Sequence, residues 1–347
     1  MITTQSRRVD LHGVVVDYVG PSWERSLSSM LAHFDEPSLC ASEASQGALA
    51  VRVASSREPI GAPFAGDAQR WEPRFFFGVI QGYVRDDGLA YGLSDARSRS
   101  IIDLQDRSIT ADVFVDDRGA VAVSTHGLLH ASLCLYLRER GLFELHAAAV
   151  RDGDSARLIV GHAGAGKSSC ALMMLAAGGR YLGDDRVLVR RAHGEAPRGP
   201  AVHGVELCAY PRTFHVALAT ATAIEGVLSL AERAEGIGGK LALDPSRAFP
   251  GGFCRDFAGP TSILLPRVEP RAQSEVRPVT SAEAMGALIE SSALALVDGI
   301  RHRDENLALL AALTNGARAF HVGLGRDALD HPVATARRIL AETRPAR

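Results

Sequence analysis

The run Gly161-His162-Ala163-Gly164-Ala165-Gly166-Lys167-Ser168 constrains this chain more than any other stretch. It fits the phosphate-loop pattern G-x-x-x-x-G-K-[ST] and follows directly on the apolar segment Ala156-Arg157-Leu158-Ile159-Val160, so a phosphate cradle is expected between a strand and a helix. Glycines suit this task because consecutive backbone N–H groups can turn toward phosphate oxygens where a side chain would block them. Lys167 is placed to reach the terminal phosphates of a nucleotide and Ser168 to hold Mg²⁺.

The stretch from Lys167 to Ala177 (KSSCALMMLAA) reads as a helix rich in Ala, Leu and Met, closed by Gly178-Gly179 in a left-handed cap. Its N-terminus would point at the phosphates, and the free N–H groups and aligned peptide dipoles there favour an anion.

A chain of 347 residues with 46% hydrophobic residues is long enough for two domains, each with its own core. The 38 Lys and Arg nearly balance the 40 Asp and Glu, so a net charge of -2 offers no broad attraction for nucleic acid or an acidic membrane. Phosphate binding must therefore come from a local site. The five cysteines (Cys40, Cys134, Cys170, Cys208, Cys254) form no C-x-x-C pair, which argues against a zinc site and a disulfide framework and fits a reducing cytoplasm. No apolar h-region follows the N-terminus and no uncharged apolar run is long enough to span a bilayer, so a cytoplasmic protein is expected.

The first third is β-rich. Val9–Val19, Ala48–Val53, Arg74–Val84, Gly88–Leu93, Ser100–Leu104 and Ala111–Val115 carry β-branched and aromatic residues between Gly, Asp and Ser. A helix around Ser22–His33 interrupts them. An antiparallel sheet is expected, with hairpin-like turns at Asp86-Asp87-Gly88 and Asp116-Asp117-Arg118-Gly119. Residues 1–123 thus read as a smaller α+β domain without a catalytic constellation, suited to recognising an acceptor. Residues 124–140 read as a connecting helix, and its His126 and His130 lack the intervening Glu of a zincin.

From Gly141 to Arg347 strands alternate with helices, the pattern of an α/β nucleotide-binding core. Strands are expected over Phe143–Val150, Leu158–Val160, Arg186–Val189, Ser262–Leu265 and Ala317–Val322; helices over Ser281–Ser292, Arg303–Leu313 and His331–Thr343. The glycines in Ala231–Lys240 mark a mobile loop.

Past the helix comes Tyr181-Leu182-Gly183-Asp184-Asp185-Arg186-Val187, two adjacent carboxylates between apolar segments. The helix is the right length to bring them back beside the loop, near Mg²⁺ and the terminal phosphate. One acid can then take the proton of an attacking hydroxyl while its neighbour contacts the metal. His146 lies on the strand that precedes the loop, in Leu145-His146-Ala147.

Strand with His, strand leading to G-x-x-G-x-G-K-S, helix, Gly-containing turn, and strand with Asp-Asp: over Leu145–Val189 this order resembles the C-terminal catalytic domain of HPr kinase/phosphorylase and its kinase-like relatives. The resemblance implies an α/β fold with a C-terminal P-loop domain of the type shared with phosphoenolpyruvate carboxykinases, preceded by the smaller β-rich domain. It implies ATP and Mg²⁺ as cofactors, with Gly161, His162, Ala163, Gly164, Ala165, Gly166, Lys167, Ser168 and Ser169 around the phosphates. Asp184 would be the base, Asp185 would support metal or phosphate binding together with Ser168, and His146 would line the active site. Homo-oligomers are known in this group.

The Gly- and Arg-containing signature of the bifunctional HPr enzymes is missing from Ala201–Ala217 (AVHGVELCAYPRTFHVA), where Glu206 is the only acid and thus the candidate third metal ligand. Pro211-Arg212 is similar to a Pro-Arg-Pro segment of the kinase-like relatives, which places Arg212 toward nucleotide or substrate. Lys240 and Arg247 flank the stretch where the group carries a mobile basic segment over its acceptor. The expected activity is transfer of the γ-phosphate of ATP to a serine hydroxyl of a peptide or small protein, the partner being an acceptor with a Ser or Thr hydroxyl. Peptide tailoring, as in lasso-type relatives, is favoured over HPr regulation. A small-molecule alcohol kinase and a nucleotide-gated binding protein are the alternatives.

Overall fold

Two-residue alternation of apolar and polar positions builds the first half of the chain into a sheet, and the longer helical period takes over in the second. The computed structural model describes residues 3–34, 47–60, 64, 71–95, 97–117, 120–192, 204–233, 239–292, 297 and 300–345. The chain divides into two units, Met1–Leu142 with Val297–His302, and Phe143–Leu296 with Arg303–Arg347.

In the first unit β1 (Thr4–Leu11) and β2 (Val14–Pro21) are followed by α1 (Ser26–Ala32), β3 (Leu49–Ser56), β4 (Trp71–Phe77), β5 (Ile80–Arg85), β6 (Ala90–Ser94), β7 (Arg99–Asp103), β8 (Ser108–Phe114) and α2 (Val123–Arg138). They form one eight-stranded sheet in the order β1-β2-β3-β8-β7-β6-β5-β4. The single strand expected over Val9–Val19 is a hairpin, its turn made by His12 (φ 56°) and Gly13 (φ 90°), the two positive φ values that a tight two-residue turn requires. The sheet is not wholly antiparallel, because β3 runs parallel to both β2 and β8. Val9, Leu11, Val16, Tyr18, Leu49, Val51, Ile109 and Val113 are buried at alternate positions along these strands. The helix expected to link the two halves is α2; it belongs to this unit and packs on β6, β7 and β8. The turn expected at Asp116–Gly119 falls partly outside the described residues.

The second unit runs β9 (Phe143–Leu145), β10 (Ala147–Asp152), β11 (Ser155–Val160), α3 (Lys167–Ala176), β12 (Arg180–Gly183), β13 (Val187–Arg191), β14 (Val205–Cys208) and β15 (Phe214–Val216). It continues with α4 (Leu218–Ala223), α5 (Val227–Leu230), β16 (Glu232–Arg233), β17 (Leu241–Leu243), α6 (Pro245–Ala248), β18 (Asp256–Phe257), β19 (Thr261–Val268) and β20 (Glu275–Pro278). The last elements are α7 (Ser281–Ser291), α8 (Arg303–Gly316), β21 (Arg318–Leu324), α9 (Asp327–Asp330) and α10 (Pro332–Glu342). A six-stranded sheet β12-β10-β11-β19-β21-β20, a four-stranded sheet β18-β14-β13-β9 and a three-stranded sheet β15-β17-β16 result. In the glycine-rich stretch expected as a mobile loop, Glu232–Arg233 is strand, and residues 234–238 lie outside the described residues.

The central sheet is buried on both faces, which is why its strands read as continuous apolar runs. Ala148, Val150, Ile159, Leu264, Phe320 and Val322 pack on one side with Cys170–Leu175 of α3 and Ala336, Ile339 and Leu340 of α10. α7 packs on β11 and β19. Thr280 and Glu283 close a reciprocal capping box at the start of α7. Gly178 (φ 107°) ends α3 as anticipated, with its N–H on Leu175 O and that of Gly179 on Met174 O. The cysteines Cys134, Cys170, Cys208 and Cys254 are buried, and none of these four is in a disulfide. No helix among the described residues is long and apolar enough to cross a membrane.

Candidate active site

The strand expected over Phe143–Val150 is broken at His146. Residues before the break pair with β13 in the four-stranded sheet and residues after it with β11 and β12 in the six-stranded one. The returning chain does the same in reverse: β12 pairs with β10, β13 pairs with β9, and Asp184-Asp185-Arg186 bridge them. Two neighbouring segments therefore cross from sheet to sheet side by side, and His146 meets the acidic pair at the crossing. The His146 N–H, free of any ladder, donates to Ser291 O at 2.7 Å.

Backbone constraints hold that crossing in place. A Cβ on Gly183 would lie 2.2 Å from Arg186 O and 3.2 Å from Tyr210 O. Only glycine lets the chain fold so tightly over itself there. Asp185 adopts φ 68°, a left-handed conformation that Asp tolerates better than most residues.

The phosphate loop follows β11. Gly164 (φ 82°) and Gly166 (φ 101°) turn the chain into α3, whose first turn has no side-chain cap, and its N–H groups face the loop. His162, Ala163 and Gly164 are exposed on the rim, whereas Ala165 is buried and its methyl fills the space beneath Gly161. Lys167 is buried; its Nζ donates to Gly161 O (2.6 Å), to His162 O (3.2 Å) and to His146 Nε2 (3.1 Å). Burial lowers the Lys167 pKa, with Lys240 acting in the same sense and Asp185 and Asp184 opposing.

Ser168 Oγ donates to Asp184 Oδ1 at 3.0 Å, and this bond joins the loop to the acidic pair. Asp184 is 2% exposed. Burial raises its pKa to about 6, aided by the neighbouring Asp185 charge and opposed by the Ser168 hydrogen bond and by Lys167. Asp185 lies in a different environment, with 42% of its side chain exposed. Arg212 reaches its Oδ2 at 2.7 Å, and His146 Nδ1 lies 3.1 Å from its Oδ1 and 2.9 Å from its backbone carbonyl. Burial alone would raise the Asp185 carboxyl; the hydrogen bond from His146 and the charges of Arg212, His146 and Arg186 outweigh it and hold the group well below the usual carboxylate range. Because both partners of His146 Nδ1 are acceptors, the ring proton sits there and Nε2 accepts from Lys167.

Of the residues expected at the site, Lys167, His146, Asp185 and Arg212 form one hydrogen-bonded chain, and Ser168 with Asp184 forms a second pair that adjoins it through the neighbouring residues 167/168 and 184/185. Ser169 instead turns to Thr220 of α4, Oγ to Oγ1 at 2.8 Å. Glu206 sits on β14 opposite Arg190, with its carboxylate 2.7 Å from the guanidinium, and it makes no hydrogen bond to the loop. Its ladder position spends it on a cross-strand ion pair. Arg247 is exposed and pairs with Glu232 at 3.7 Å, whereas the Lys240 charge is felt at both Lys167 and His215.

Sequence reasoning passes over His215. It lies on β15 between the buried Phe214 and Val216. Burial and the charges of Arg212 and Lys240 lower its pKa, and Asp185 opposes them. The alternation Phe-His-Val is the signal that could have found it, since a polar residue between two core residues of a strand faces away from the core.

No protein-family model matches the chain, and no curated protein matches it in sequence. Among solved structures it is similar to the HPr(Ser) kinase/phosphatase from Coxiella burnetii, at 11% identity and a TM-score of 0.27, over 57% of this chain and 98% of that one. At this identity and score the similarity assigns neither family nor function. What stands is a mixed α/β chain with several sheets.

Proposed function

We propose that this chain is a phosphotransferase that moves the γ-phosphoryl group of ATP to a Ser or Thr hydroxyl of a peptide or small protein. The observation that carries this reading is the Ser168–Asp184 hydrogen bond, which ties a phosphate-loop hydroxyl to a buried acid with a raised pKa.

The Ser168 hydroxyl is a hard oxygen ligand for Mg²⁺ at a helix N-terminus; the Asp184 carboxylate is hydrogen-bonded to it, and Asp185, next in the chain, supports the metal or phosphate from its place between His146 and Arg212. When bound, the ion supplies charge neutralisation at the β- and γ-phosphates. The N–H groups from Gly164 to Ser168 cradle the phosphate oxygens, and Lys167 exchanges its bonds to the loop carbonyls for the phosphates. Asp184 accepts the acceptor hydroxyl's proton as that oxygen bonds to phosphorus and the bond to the bridging oxygen of ADP breaks. Its raised pKa suits a base working near neutrality. Asp185 stays ionised between His146 and Arg212 and keeps the imidazole aimed at Lys167.

Incubation with ATP, Mg²⁺ and candidate acceptor peptides, read by mass spectrometry, should show phosphate on Ser or Thr. Asp184→Asn should remove that product while ATP still binds. If ADP forms only by hydrolysis across peptide and small-protein acceptors, the reading fails.

A further inference from the structure

We infer that the nucleoside half of the bound nucleotide lies over Val268, on the β19/β21 flank of the phosphate loop. The inference rests on the nucleotide reading above and gives the ligand a direction within the site.

The sheet order β12-β10-β11-β19-β21-β20 places the two flanks of the loop on opposite sides of β11. His146 precedes β10 and Asp184-Asp185 follow β12, so the groups that handle the terminal phosphate all sit on one flank. The other flank is built by β19 and β21, both parallel to the direction of β11. Ile159 of β11 is in register with Leu264, so β19 runs on past the end of β11 and alongside the loop to Val268. The carboxyl ends of parallel strands are where open α/β sheets bind their ligands.

Val268 is the apolar feature at that end. It is 64% exposed, while its register partner Leu324 is 3% exposed. Both abut the point where the loop enters α3: a Cβ on Gly166 would lie 2.9 Å from Leu324 Cδ1 and 3.3 Å from Val268 Cγ2. The isopropyl group thus forms a step beside the phosphate cradle. The next residue, Glu269, turns away to Gly323 and pairs with Arg271 at 3.1 Å, which leaves the step apolar. A nucleotide with its terminal phosphate toward Asp184 and its inner phosphates on the helix N-terminus carries its sugar and base to this flank. There the flat face of a heterocyclic base covers a methyl-bearing surface that otherwise faces water.

Calorimetric titration of the full chain with ATP and, separately, with inorganic tripolyphosphate tests the placement. Val268→Ser should weaken ATP about tenfold, and Val268→Phe should tighten it about threefold, with tripolyphosphate within about twofold of the parent chain in both. Circular dichroism melts should superimpose, because position 268 is exposed. If ATP and tripolyphosphate bind the parent chain and Val268→Ser leaves ATP unchanged, the nucleoside lies elsewhere and the phosphate-site reading survives. If both ligands weaken equally, Val268 acts on the loop and the inference is overturned. If neither ligand binds the parent chain, both the inference and the nucleotide reading fall.

Discussion

Ser168 Oγ lies 3.0 Å from Asp184 Oδ1, whereas the adjacent Asp185 turns its carboxylate to His146 and Arg212. Two acids that follow one another in the chain are thus given opposite environments. One is a buried carboxyl that accepts from the Ser168 hydroxyl and the Asp185 backbone N–H, with its pKa raised to about 6, and the other is bracketed by an imidazole and a guanidinium that keep it ionised. Pushing neighbouring titratable groups apart in pKa is how a site divides acid–base work from charge-holding work.

Asp184→Asn should therefore trade function for stability. The folded state holds the Asp184 proton up to about pH 6, while an unfolded carboxyl gives it up near 3.8, so stability falls as pH rises through that window. Above it the fold carries a buried charge that costs about 3 kcal/mol, an order-of-magnitude figure from the size of the shift. Asn keeps an acceptor for Ser168 and removes the charge. Thermal melts should show the variant more stable than the parent chain at about pH 8 and no more stable at about pH 4, with phosphoryl transfer lowered by about 10³-fold at pH 8 and by far less at pH 4, where the parent Asp184 is itself protonated. An equal stability difference at both pH values would contradict the buried-charge account.

Gly183→Ala tests whether the tight turn sets the acidic pair. The added methyl would fall 2.2 Å from Arg186 O, a backbone atom that cannot swing aside. The turn must open, which moves Asp184 from Ser168 and costs about 1–3 kcal/mol of stability. Urea denaturation and transfer assays should both report a loss. A variant of normal stability and activity would mean that the turn relaxes without moving the acids.

Arg157 anchors the C-terminal helix from the middle of the core strand that leads into the loop. It is fully buried, and its guanidinium donates to Leu340 O and Thr343 Oγ1 at the end of α10 and to Ser155 Oγ and Ala156 O, with no carboxylate among the described residues in an ion pair with it. Burial lowers its pKa to about 10, yet it remains charged at neutral pH. Arg157→Ala leaves a cavity and orphaned acceptors and should cost about 3 kcal/mol or more, and Arg157→Met should cost less because it fills the space. Chemical denaturation of the two variants gives the ordering.

Much of this site is local in the chain and so legible in it. Gly164 and Gly166 announce a loop because their positive φ favours glycine, Lys167 and Ser168 complete the pattern through their side-chain chemistry, and the helix they open follows from composition and from the Gly178 cap. What is hidden is pairing between distant segments. Nothing near His146 says that its strand changes sheets there, because the break is made by partners in β11, β12 and β13. Glu206 reads as a free acid until Arg190 is found opposite it, and the parallel run of β3 against β2 and β8 cannot be told from their own alternation. His215 enters the site only once β15 pairs with β17, in register with Ala242.

The chain from Asp185 through His146 to Lys167 makes a prediction about coupling. His146 gives its Nδ1 proton to Asp185 and takes a hydrogen bond from Lys167 on Nε2, so removing either the imidazole or the carboxylate releases the same lysine. Residues that act through one connected group lose their effect together. His146→Ala and Asp185→Asn should each lower kcat by about 10²-fold, and the double variant should be no worse than about the weaker single, rather than the product of the two losses. ATP affinity measured in parallel separates positioning from binding, since a chain that only orients Lys167 for the terminal phosphate moves kcat more than the dissociation constant. Multiplicative losses in kcat across the four proteins would show that His146 and Asp185 work independently, and the connected arrangement would then have no part in the reaction.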